Sequence, residues 1–189
     1  MFNQSCKSNT RSSIFIGLIA LTGITALFFS WYNQPFLTPY NAITDREEII
    51  DLFEKERYWL TATPGYSVEH MLDTKSPSEQ QPSFKGALNL FTARINGVFA
   101  GFCAYYFKRK DLGQILFIAV DPIFRGKGYA KKMVQFCLHE IKQKGAPYAM
   151  ILTRVDNIPA QKAYEGVGFT ESYRDESFVY YFYDLMHKK

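Results

Sequence analysis

Between Gln114 and Arg154 the chain runs through an apolar strand, a glycine turn, an amphipathic helix and a second strand, and this run limits the fold more than any other stretch. The first strand, Gln114–Val120, is nearly all apolar and stops at Asp121-Pro122. The helix spans about Gly128–Lys144 and gathers Met133, Val134, Cys137, Leu138 and Ile141 on one face, so that face has to lie against a sheet. Gly145-Ala146-Pro147 ends the helix, and Tyr148–Arg154 has the apolar character of the next strand.

The flanking sequence supplies more of both element types. Thr44-Asp45-Arg46-Glu47 reads as a capping box opening a helix that carries Ile49, Ile50, Phe53 and Trp59 at helical spacing to about Leu60. Thr63-Pro64-Gly65 breaks it, Ser67–Thr74 reads as a short second helix, and Lys75–Ser83 is a polar loop. Asn89–Ile95 and Val98–Phe107, joined by Asn96-Gly97, form the strongest hairpin signal in the chain. Downstream come a short helix at Ile158–Glu165 and strands at Phe169–Tyr173 and Phe178–Asp184. With a short edge strand near Phe36–Thr38, the order is βααβββαβαββ. That is an α/β architecture, one mixed sheet with helices on its faces.

Composition narrows the function classes. The 189 residues include 17 Phe and 13 Tyr, and 47% are hydrophobic, which is enough for a packed core and excludes a disordered chain. Only Lys7 and Arg11 are charged among residues 1–44, so the rest of the chain holds 20 bases against 18 acids. That balance leaves no electrostatic footprint for nucleic acid. Cys6, Cys103 and Cys137 are too few and too scattered for a disulfide framework or a zinc cluster, and the last two read as small buried hydrophobes.

Ser12–Thr44 carries no charge at all, and Ile14–Tyr32 is long enough to reach roughly 28 Å as a helix, about one hydrocarbon core. Trp31 and Tyr32 suit the membrane–water boundary. The chain therefore divides into a basic tail (1–13), a transmembrane helix or signal anchor (14–32), a linker with the first edge strand (33–43) and a globular domain (44–189). A cleaved secretory signal is the competing reading, although Phe28, Phe29, Ser30 and Trp31 are bulky where a small-x-small cleavage site is wanted. The two bases before the apolar run place the N-terminus in the cytoplasm by the positive-inside rule, and so the domain on the far side.

Two motifs carry chemistry. Arg125-Gly126-Lys127-Gly128-Tyr129-Ala130 sits between a strand and a helix, where glycines let the backbone turn with its amides outward. The helix start adds unpaired N–H groups and a positive dipole end, and the two cations suit a pyrophosphate. This is not a dinucleotide fingerprint, because a third glycine is missing, and no Gly-Lys-Ser/Thr makes it a P-loop. In the second motif Asn157 is a good helix N-cap, Pro159 fits the first turn, and Tyr164 lies about two turns on, on the same face.

Taken together, Val-Asp-Pro at a strand end, Arg-x-x-Gly-x-Ala opening a helix, and Asn157-x-x-Ala160-x-x-x-Tyr164-x-x-x-Gly168-Phe169 closely resemble the GNAT (Gcn5-related) N-acetyltransferase family. The resemblance covers about residues 36–185. It implies the GNAT fold, with a mostly antiparallel mixed sheet, and acetyl-CoA as co-substrate in a gap between the strands Gln114–Val120 and Tyr148–Arg154. By the same resemblance Ile118 and Val120 would pair with the pantetheine arm, and the Val120 amide would polarise the thioester carbonyl. The amides of Arg125, Gly126, Lys127, Gly128, Tyr129 and Ala130 would hold the pyrophosphate, Asn157 would bond the pantetheine, and Tyr164 would protonate the leaving thiolate.

Many family members carry a glutamate base on the strand before the glycine turn. Gln114, Ile115, Leu116 and Phe117 stand there instead, and none of them takes a proton. Glu69, His70, Asp121, Asp156 and an ordered water chain are the alternatives. Tyr58, Trp59, Tyr66, Tyr173, Phe178, Tyr180 and Tyr181 would line the acceptor pocket or pack the core. The expected function is a membrane-tethered N-acetyltransferase acting on a peptide α-amine, a lysine or a small amine, the alternative being an acyl-CoA-binding module without turnover. Acetyl-CoA chemistry normally belongs to the cytosol, against the charge rule, so the side of the domain stays open between a cytosolic face, a compartment that imports acetyl-CoA, and export after signal cleavage.

Overall fold

The computed structural model describes residues 36–78 and 82–187. The expected membrane helix at 14–32 lies outside the described residues. Among the described residues no helix is long and apolar enough to cross a membrane.

Among the described residues seven strands form one sheet in the order β1-β2-β3-β4-β5-β7-β6. They are β1 (Leu37–Pro39), β2 (Asn89–Ile95), β3 (Val98–Arg109), β4 (Leu112–Val120), β5 (Tyr148–Arg154), β6 (Thr170–Arg174) and β7 (Phe178–Asp184). Every neighbouring pair is antiparallel except β4 with β5. The helices are α1 (Arg46–Lys55), α2 (Arg57–Leu60), α3 (Val68–Thr74), α4 (Tyr129–Gln143) and α5 (Ile158–Glu165), with a 3-10 turn at Pro122–Phe124.

β3 is buried on both faces, and its alternation divides the core in two. Phe102, Ala104 and Tyr106 pack with Ile49, Leu52 and Phe53 of α1 and with Val68, Met71 and Leu72 of α3. Cys103, Tyr105 and Phe107 pack with Met133, Val134, Cys137, Leu138 and Ile141 of α4. These are the five α4 residues expected from the sequence, and full burial of the Met, Val, Leu and Ile side chains among them is worth roughly 1.5–3 kcal/mol of transfer free energy each. Cys103 and Cys137 are free thiols inside this layer.

Three local expectations are corrected. The capping box does not form: α1 starts at Arg46, and neither Thr44 nor Asp45 caps it with a side-chain bond. Asp45 is buried and turned inward instead. It accepts from the Asn41 N–H (2.9 Å), the Thr92 hydroxyl (3.0 Å), the Thr44 hydroxyl (2.8 Å) and the Arg94 guanidinium (2.9 Å). Four donors in the interior outweigh one helix-end N–H, so the carboxylate joins α1 to β2. The single helix expected to reach Leu60 breaks at Glu56, leaving α2 as one separate turn with Tyr58 and Trp59 partly exposed. Finally, the edge strand lies one residue later than expected, at Leu37–Pro39.

Candidate active site

The site begins where two strands part. β4 and β5 pair at Leu112–Tyr148, Gly113–Ala149 and Gln114–Met150 and nowhere beyond. The cause lies in β4. Ala104 pairs with Phe117 while Tyr105 pairs with Ile115, so Leu116 is an extra residue in the strand. The packing shows the same insertion: Ile115 faces the α4 layer, Leu116 and Phe117 both face the α1–α3 layer, and Ile118 returns to the α4 layer. A bulge bends the strand that carries it, and here it carries β4 away from β5.

The parting leaves one edge of β4 without a strand partner. The Asp121 N–H donates to the Ala100 carbonyl of β3 at 3.0 Å. Strand alternation therefore turns the N–H and C=O groups of Ile118 and Val120 away from β3, onto the open edge. Those are the two residues expected to meet a bound pantetheine arm.

The glycine turn follows at the mouth of this cleft. Gly126 (φ 76°) and Gly128 (φ 80°) both adopt the left-handed region, with open space where a Cβ would stand. Gly128 is the N-cap of α4 and has no side chain to satisfy the first N–H groups of the helix. The first intrahelical bond runs from the Lys132 N–H to the Gly128 carbonyl at 3.2 Å. Tyr129 and Ala130 thus present amides at a positive helix end, an arrangement that fits phosphate oxygens.

Arg125 takes a different place from its neighbours. Its N–H donates to the Pro122 carbonyl (3.2 Å), its Nε to the Val120 carbonyl (2.9 Å), and its guanidinium pairs with Glu56 at 2.7 Å. The side chain thereby ties the end of α1 to the end of β4. Lys127 remains exposed, 5.7 Å from the Phe124 ring centroid.

The second motif forms the far wall. Asn157 caps α5, its Oδ1 accepting from the Ala160 N–H at 3.3 Å, as its sequence position implied. Tyr164 sits two turns on and is 6% exposed, edge-on to Tyr181 with ring centroids 5.9 Å apart. Burial, with a smaller contribution from Tyr181, pushes its phenol well above the usual tyrosine range. The hydroxyl therefore holds its proton at neutral pH.

Ile118, Asn157 and Tyr164 line one cavity of about 560 Å³ that continues toward α2 and α3. Of the seven aromatics expected at an acceptor pocket, Trp59, Tyr66 and Phe178 line it. Tyr181 is in the core, Tyr173 and Tyr180 pair across β6 and β7 at 5.4 Å, and Tyr58 packs on Arg154. Among the described residues that line the cavity there is no Asp or Glu. Gln114, in the stretch where the family glutamate is wanted, accepts at 2.8 Å from the Tyr106 hydroxyl, a phenol that burial also keeps protonated.

The candidate bases separate clearly. Asp121 caps the 3-10 turn through the Ile123 N–H (3.0 Å), and Asp156 accepts from the Tyr58 hydroxyl (2.9 Å). Glu69 accepts from the Ser67 hydroxyl at 2.9 Å. Neither aspartate nor Glu69 is part of the cavity wall, whereas His70 is. Arg154, also in the wall, was not singled out by the sequence; its one signal is a cation closing an apolar strand three residues before Asn157.

The acetyltransferase (GNAT) family model matches residues 28–169, three quarters of the chain, with the cleft, turn and cap just described inside the match. The chain belongs to the GNAT family. It is 30% identical over 121 residues to mycothiol acetyltransferase of Thermomonospora curvata, a match covering 61% of this chain and 40% of that protein. It is 34% identical over 61 residues to the ribosomal-protein bS18 alanine N-acetyltransferase of Haemophilus ducreyi, covering 32% and 42% respectively. The chain thus spans about two fifths of these curated relatives. The PaiA N-acetyltransferase of Thermoplasma acidophilum, solved with coenzyme A, shares the fold at a TM-score of 0.61 and 17% identity over 78% of this chain and 97% of that one. Acetyl-CoA is the co-substrate of GNAT acetyltransferases. The residues present fit it, with an unpaired strand edge for an extended amide-bearing arm and outward amides at the glycine turn for a pyrophosphate.

Proposed function

We propose that the chain is an N-acetyltransferase that moves the acetyl group of acetyl-CoA to a primary amine by direct attack. The observation that carries this reading is the parting of β4 from β5 beyond Gln114, with Asn157 and Tyr164 of α5 lining the space it opens.

The chain's own groups divide the work. Main-chain groups of Ile118 pair with the extended pantetheine, Asn157 adds a side-chain bond, and the Val120 N–H is left for the thioester. The amides of Gly126, Lys127, Gly128, Tyr129 and Ala130 take the pyrophosphate, while Arg125 serves by fixing the end of β4 from its bond to the Val120 carbonyl. As the amine nitrogen bonds to the acetyl carbon, negative charge builds on the thioester oxygen, where the Val120 N–H stabilises it. The carbon–sulfur bond then breaks, and the buried Tyr164 hydroxyl donates its proton to the departing thiolate. The proton shed by the amine passes to His70, an imidazole in a wall whose described residues include no carboxylate.

The relatives' names supply acceptor types, mycothiol and an alanine of a ribosomal protein, and the alanine is consistent with a primary amine. Residues 14–32 serve as a single-pass anchor, and the need for acetyl-CoA sets the domain on the cytosolic face. A C-terminal reporter labelled only from outside the cell would overturn that placement.

The test is release of free CoA thiol from acetyl-CoA by the full chain with a panel of amines. Tyr164→Phe is expected to lower kcat by about 10²–10⁴-fold with acetyl-CoA affinity retained. A Phe variant as fast as the original would remove the phenol from the mechanism. Acetyl-CoA binding with no thiol release on any amine would favour the acyl-CoA-binding module instead.

A further inference from the structure

Arg154 ends β5 opposite Phe178 of β7 and faces the α2–α3 side of the cavity. Its guanidinium lies between two rings, 4.1 Å from the Tyr58 centroid and 5.4 Å from that of Phe178. Nε donates to the Tyr58 carbonyl and Nη2 to the Thr61 carbonyl at 3.5 Å. Both acceptors are neutral, and they use two of the five N–H donors a guanidinium carries. Asp156, two residues on in the chain, is turned to the Tyr58 hydroxyl. Among the described residues no Asp or Glu forms an ion pair with Arg154, although Arg46, Arg57, Arg94, Arg109, Arg125 and Arg174 all have one.

A cation stacked between rings and pinned by two main-chain bonds is held in one orientation before any ligand arrives, so little rotamer freedom is lost on binding. It stands in the wall of a cavity whose described lining residues include no carboxylate, which repels no anion and supplies none of its own. The cavity also holds His70 and Tyr164, which in the proposed reaction take the amine's proton and protonate the leaving thiolate. Its volume of about 560 Å³ is that of a small-molecule pocket.

We propose that Arg154 binds a carboxylate of the acceptor, and that the acceptor is a small amine carrying such a carboxylate, of the amino-acid class. This rests on the acetyl-transfer reading for the identity of the second functional group but not for the anion site itself. The N–H groups of the guanidinium not bonded to Tyr58 and Thr61 meet the carboxylate, and the amine points toward the cleft.

The experiment compares matched ligands on the CoA-loaded full chain by calorimetry: N-acetylphenylalanine, which is the product form, and its carboxamide. The acid is expected to bind at least tenfold more tightly than the amide, as charge-assisted bonds to a guanidinium are stronger than neutral ones. Arg154→Gln should erase that difference while CoA still binds, and Arg154→Lys should retain part of it. Equal affinity for acid and amide in the unaltered protein overturns the proposal without recourse to any variant, and so does a preference that survives in Arg154→Gln. Thiol release with phenylalanine and phenylalaninamide is followed in parallel. A preserved, Arg154-dependent preference for the acid with no acetyl transfer would leave the anion site standing and remove the transferase reading.

Discussion

Gly101 faces Val120 across the β3–β4 ladder, so replacing it perturbs the strand proposed to hold the thioester. It sits at φ 145°, and a Cβ built there would lie 2.0 Å from the Ala119 carbonyl oxygen, where real Cβ atoms essentially never come within 3.0 Å. Gly101→Ala therefore forces at least one ångström of main-chain displacement, because the obstructing atom is backbone and cannot rotate aside. Strain in a glycine-only region and overpacking together cost roughly 3–5 kcal/mol. At about 2–4 °C per kcal/mol for a chain of this size, Tm falls by roughly 6–20 °C. The control is Gly145→Ala at the end of α4, where φ is 90° but nothing lies within 4 Å of the added carbon. Left-handed strain alone there costs about 1 kcal/mol, or roughly 2–4 °C. Thermal unfolding of both variants separates the two effects, and acetyl-CoA titration adds a second readout. Gly101→Ala should weaken acetyl-CoA binding by moving the Val120 N–H, while Gly145→Ala should not. Equal Tm losses in the two variants, or a Gly101→Ala protein of unaltered stability, would refute the reasoning.

Two further outcomes are expected. Burial alone would raise the Asp45 carboxyl, but the Asn41 N–H, the Arg94 guanidinium and the Thr44 and Thr92 hydroxyls outweigh it and hold the group below its ordinary range. Its contribution is therefore complete above about pH 5 and is lost as pH falls through the depressed value. Asp45→Ala should cost about 3 kcal/mol at pH 7 and flatten the acid limb of the stability curve measured by denaturant unfolding. His70→Gln should lower kcat for acetyl transfer by about 10²-fold with acetyl-CoA affinity retained; an unchanged kcat would exclude His70 as the base.

The parts of the structure legible in the sequence are those fixed by neighbours along the chain. The α4 face follows from 3.6-residue spacing, and the Asn96-Gly97 hairpin from two residues that accept positive φ, 52° and 80°. Asn157 caps α5 because its partner, Ala160, is three residues away. The bulge at Leu116 was not legible, since an unbroken apolar run looks the same with or without an inserted residue. Yet that bulge accompanies the opening of the cleft. Asp45 looked like part of a helix cap because its competing partners, Thr92 and Arg94, lie more than forty residues away. The same holds for Arg125, whose charge is used by Glu56, and for Arg154, which is clamped by a ring 96 residues upstream. For long cationic and acidic side chains the sequence gives the reach of the group, and only the fold says what it reaches.

The proposed function stands on acetyl-CoA binding in the opening between β4 and β5. Calorimetric titration of the full chain with acetyl-CoA tests it most directly. One site of micromolar affinity is expected, competed by CoA and weakened by Gly128→Val, which places a branched side chain at the amide-lined turn. A folded chain that binds no acetyl-CoA at millimolar concentration would contradict it.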